Sequence, residues 1–82
     1  MARSVSTVAL VVPDYDAAID FYVGRLGFAL LSDITQSATR RWVTVAPPGS
    51  AGAALLLARA DGPEQTAAIG NQTGGRVFLF LE

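Results

Sequence analysis

Apolar positions recur along the chain in two rhythms. From Val5 to Val12 they run nearly unbroken and β-branched, then stop at Pro13, which has no N–H to give a ladder; this predicts a first strand covered on at least one face. Asp14 follows as a helix cap whose carboxylate can accept from first-turn N–H groups, and Asp16 adds charge at the favourable end of the dipole. Ala18, Phe21, Tyr22 and Leu26 recur at three- and four-residue spacing, so a helix is predicted over 15–26 with those four side chains buried and Asp16, Asp20 and Arg25 outside. Gly27 suits a left-handed cap, after which Phe28 can fold back onto Val23.

Beyond the helix the rhythm shortens. Residues 28–32 read as a second strand, 33–39 as a polar loop, and 40–46 as a third strand in which Arg41, Val43 and Val45 alternate with Trp42, Thr44 and Ala46. The segment 47–52, PPGSAG, is a turn by composition, and 53–58 is a well-buried fourth strand. Asp61-Gly62-Pro63-Glu64 starts a short helix over 64–69, closed by Gly70-Asn71. After the Thr73-Gly74-Gly75 loop, RVFLFL over 76–81 reads as a last strand, and its rhythm repeats that of TVALVV from Thr7. The order is strand, helix, strand, strand, strand, then a link and the opening of a second copy of the unit.

Composition narrows the possibilities. The chain has 82 residues, enough for one small domain burying about 60% of its unfolded surface. At 51% hydrophobic and 16% charged it is too apolar to be disordered, and its runs are too short to span a membrane. Net charge is -1, and the basic residues are all Arg, scattered apart from Arg40-Arg41, so a nucleic-acid partner is not expected. Without Cys or His, thiolate nucleophiles, disulfides, and the commonest metal ligand and general base are missing. The five-residue apolar core Val8–Val12 is shorter than a signal-peptide core, which leads to the expectation of a cytoplasmic protein.

The stretch VALVVPDYDAAIDFYVGRLGF, Val8 to Phe28, resembles the opening module of the vicinal oxygen chelate superfamily, the glyoxalase, bleomycin-resistance and extradiol-dioxygenase group. There a strand, an acidic cap, A-I-x-F-Y and L-G-F occur together. RRWVTVAPPG and NQTGGRVFLFL fit more loosely, as the third strand and the entry to a second module.

The resemblance implies an α+β fold: a βαβββ module over about 5–60, a link over 61–75, and the first strand of an incomplete second module over 76–82, all in one glyoxalase-like domain spanning 1–82. A family domain has two such modules enclosing a pocket. The remainder would be lost by truncation, lie beyond this sequence, or come from another chain.

In family enzymes a divalent metal is held by residues whose places fall here on Thr7, Leu56 and Arg76. A hydroxyl, an aliphatic chain and a permanent cation cannot form that site, so no metal and no cofactor are expected.

As ligand-binding candidates the resemblance points to Thr7 for its hydroxyl, Trp42 as a flat wall and Arg76 as a fork for a carboxylate or phosphate. Each also has a plain reading, Trp42 as core packing and Arg76 as a surface residue. No catalytic residue is assigned, because the serines have no His to activate them. Two functions stand: a metal-free small-molecule-binding protein, or a diverged lyase or dioxygenase whose reactive residues lie in the missing portion. Apolar side chains on both sheet faces add the expectation of a homodimer.

Overall fold

The computed structural model describes residues 3–81; the outer bounds of the 1–82 domain and of its last strand lie outside the described residues. Four strands, β1 (Thr7–Val12), β2 (Ala29–Thr35), β3 (Arg41–Ala46) and β4 (Ala54–Arg59), form one sheet in the order β1-β4-β3-β2. β1 pairs with β4 in parallel, and the other two pairings are antiparallel. Helix α1 (Tyr15–Ile19) follows β1 and α2 (Gly62–Ala68) follows β4. This is the α+β, βαβββ arrangement expected, but β2 runs three residues further than expected, to Thr35, so that 33–35 pair with β3 instead of lying in a loop, and β1 begins at Thr7 rather than Val5.

α1 begins where the sequence requires: the Asp14 carboxylate accepts from the Ala17 N–H at 2.9 Å. The helix then widens into a π-helical segment, Asp20–Arg25, whose last turn closes with Leu26 N–H donating to Phe21 C=O. Gly27 takes a φ of 75°, and Phe28 N–H returns to Tyr22 C=O at 2.8 Å. Phe28 packs on Tyr22, with ring centroids 5.6 Å apart, in the core against which Val23 also lies.

The predicted buried stripe is corrected. Tyr15 and Ala18 are buried and Ile19, Tyr22 and Val23 half-buried, while Phe21 and Leu26 are 46% and 45% exposed. The inward face is 15, 18, 19, 22, 23: Ala18 and Tyr22 lie inward as expected, while Tyr15, Ile19 and Val23 take the places given to Phe21 and Leu26. Tyr15 sets it: its ring lies under the Arg41 guanidinium, 5.3 Å from centroid to carbon.

The helix covers one face of the sheet. Leu10, Val12, Phe28, Val43, Val45, Leu55 and Leu57 form the core with Tyr15 and Ala18, and Val43, Val45 and Leu57 are fully buried. A bulge at Leu31 shifts the β2–β3 register, so that Ser32 pairs with Thr44 and Asp33 with Val43. In the unshifted register Asp33 would oppose Trp42 on the other face. The bulge instead sets Asp33 beside Arg41, whose Nε and Nη2 donate to the two carboxylate oxygens at 3.0 and 2.6 Å. Arg41 Nη1 donates to Asp16 at 2.9 Å, joining the hairpin to the start of α1.

The strand expected from Arg76 to Leu81 is not formed: this segment enters no ladder. Apolar rhythm supplies side chains for a strand, but a strand also needs a neighbour for its N–H and C=O groups. Phe78 nevertheless packs against the core. Along the outer edge of β1 the amide of Gln72 takes the place of a strand, accepting from Val11 N–H at 3.2 Å and donating to Val11 C=O at 2.8 Å.

Candidate functional site

The sheet face opposite α1 is paved in three cross-strand rows set by the register. Thr7, Ala54, Ala46 and Ala29 form one; Ala9, Leu56, Thr44 and Ser32 the middle; Val11, Ala58, Trp42 and Ile34 the third. In the middle row the Ser32 and Thr44 hydroxyls bond each other at 2.5 Å, which satisfies the buried Thr44 within an otherwise small and apolar surface. Trp42 stands 41% exposed on this face, outside the buried core.

Thr7 and Trp42 thus share a face but sit two rows and two strands apart, about 15 Å or more at ordinary strand spacings. Arg76 lies beyond the β1 edge. There, with Val11, Tyr22, Gln72, Thr73 and Phe78, it lines a cleft of about 450 Å³. Burial pushes the Tyr22 phenol up from its ordinary value. A second cleft, about 580 Å³, wraps the end of the sheet beside Trp42. The three candidate residues therefore do not meet in one cavity of this chain.

Missed from sequence were Arg40 and Arg59, which flank the second cleft. The Arg40-Arg41 doublet was visible, but only the fold separates its roles. Arg41 is held by Asp33 and Asp16 and covered by the helix, whereas Arg40 points to Asp61 at 3.7 Å with both side chains largely exposed.

Thr7 and Leu56 are one row apart on neighbouring strands of the open face. With Arg76 they offer a hydroxyl, a hydrocarbon and a cation, and among the described residues no three Asp, Glu, His or Cys side chains come together. This donor set does not fit a divalent metal.

The sequence model of the Glyoxalase/Bleomycin resistance protein/Dioxygenase superfamily matches residues 4–81. The chain belongs to that superfamily. An uncharacterized protein of Shewanella frigidimarina (strain NCIMB 400) is 61% identical over 82 residues, 99% of this chain and 61% of its own length.

Among solved structures, UcmS2 superposes with a TM-score of 0.67 at 34% identity, over 78% of this chain and 47% of its own. TnmS3, an antibiotic binding protein from Streptomyces sp. CB03234, gives 0.62 at 40% identity, over 72% and 48%. The chain spans three fifths of the Shewanella protein and about half of these structures.

Proposed function

We propose that this glyoxalase-superfamily chain is a small-molecule-binding module that works without a metal. The observation that carries the reading is the open sheet face: small and aliphatic side chains, one satisfied hydroxyl pair and an exposed Trp42, with the family's metal places taken by Thr7 and Leu56. Such a surface can hold an apolar ligand with a few polar anchors, and it has no group able to activate water or polarise a carbonyl. The description of TnmS3 as an antibiotic binding protein supports the same reading.

A single face makes half a pocket. The proposed complement is the same face of a second copy in a two-fold, cytoplasmic homodimer, with Thr7 and Trp42 lining the enclosed space and Arg76 near its rim. The alternative, a diverged lyase or dioxygenase, would need all of its metal donors from outside these residues.

The test is calorimetry of the protein in chelator against a panel of multi-ring natural products. The expected result is saturable micromolar binding, weakened about tenfold or more by Trp42→Ala. Binding or turnover that appears only after adding Ni, Zn, Fe or Mn would overturn the reading in favour of the enzyme.

A further inference from the structure

The cleft at the end of the sheet has two unlike walls. Trp42, Leu56 and Ala58 form an apolar one, and Arg40, Arg59 and Asp61 stand around the rest. Two further cationic and aromatic groups line it, Arg41 and Tyr15, but Arg41 is already committed to Asp33 and Asp16 and stacked on Tyr15. Arg59 differs: it ends β4, is exposed, and its guanidinium has no ion-pair or hydrogen-bond partner among the described residues. Arg40 meets only Asp61, at 3.7 Å, with side chains 71% and 81% exposed. An ion pair so long and so wet contributes little and is readily exchanged.

In a chain of net charge -1, one cleft therefore gathers three of the six arginines, two of them available, beside its only Trp. A guanidinium binds carboxylates through two parallel hydrogen bonds, and an indole face takes a planar ring. We infer that this cleft binds a planar aromatic carboxylate, its ring against Trp42 and its carboxylate between Arg59 and Arg40, displacing Asp61. The inference rests on the small-molecule-binding reading and adds the chemical class of ligand.

The test uses two probes that share the naphthalene ring and differ in its substituent, an anionic carboxylate or a neutral alcohol, 2-naphthoate and 2-naphthylmethanol, titrated into the protein by calorimetry. The carboxylate is expected to bind about tenfold or more tightly than the alcohol, to weaken about tenfold in Arg59→Gln and measurably in Arg40→Gln, and to weaken as salt rises. Both arginines are exposed, so melting temperatures of the variants should match the parent; the salt series on the unmodified protein tests the charge without any variant. Equal binding of the two probes, insensitive to salt and to Arg59→Gln, would overturn the anion site and leave small-molecule binding standing. Failure of naphthoate to bind at millimolar concentration would also overturn it, while binding of neutral multi-ring compounds would still decide the broader proposal.

Discussion

Arg41 shows how one residue can organise both halves of a module. Its bidentate grip on Asp33, a bond to Asp16 and its place over Tyr15 join hairpin, helix start and core. The hydrogen bonds from Arg41 hold the Asp33 carboxyl below its ordinary value of 3.8, and those same bonds raise the guanidinium further above its already high range. A carboxylate with a depressed folded-state pKa contributes stability that is complete above the ordinary carboxylate value and is lost as pH falls through the folded one. At neutral pH, Asp33→Asn should therefore melt lower than the parent, and the gap should close as pH falls through the ordinary carboxylate value of 3.8 and below it. Melting curves across that range check it; a gap independent of pH would show that Asp33 acts by packing. Because the Asp33 side chain is 31% exposed, added salt should also narrow the gap.

At the scale of elements, the helix position is the strongest claim. Leu57, fully buried between Leu10 and Val43 in the ladder, should cost about 2–5 kcal/mol when replaced by Ala. Phe21→Ala, which would cost about 3–5 kcal/mol were Phe21 buried as the apolar spacing predicts, should cost only about 1 kcal/mol, since Phe21 is half outside and packs edge-on against Tyr22 at 5.1 Å. Urea unfolding of both variants decides between the two registers.

Strands, caps and the Gly27 turn were legible because each is set by local rules: β-branched runs, a carboxylate before a helix, a residue at positive φ. The helix face was not, because Phe21 and Leu26 fit an apolar stripe as well as Tyr15 and Ile19 do, and only the Arg41 contact across the fold selects the latter. The last strand failed for a related reason: its pattern was visible, but pairing depends on a neighbour. Of the candidate site, Thr7 and Trp42 came from the family resemblance, and alternation along β1 and β3 accounts only for their sharing the open face. The division of labour between Arg40 and Arg41 depended on the Leu31 bulge, which no local signal marks.

For the whole molecule, the consequence of one sheet and one covering helix is an open face of Ala, Leu, Val and Trp side chains, next to an edge strand that, among the described residues, is closed at Val11 by Gln72. Exposed apolar surface of this kind invites a cover, and the proposed cover is a second copy. Light scattering at tens of micromolar should then return twice the chain mass of 8.6 kDa; a monodisperse monomer that binds no hydrophobic dye would remove the facing-sheet pocket.

The claim that joins the scales is that ligands bind on the open sheet face, without metal. Amide and indole chemical shifts, followed by NMR during titration with a bound multi-ring compound in chelator, test it most directly. Changes should concentrate at Ala9, Trp42, Thr44, Leu56 and Ala58, with the single indole N–H of Trp42 among the largest, and should spare Ala17, Asp20 and Gly24 on the outer side of the helix. Changes confined to Tyr22, Thr73 and Arg76 at the β1 edge, or appearing only when a divalent metal is restored, would contradict the account.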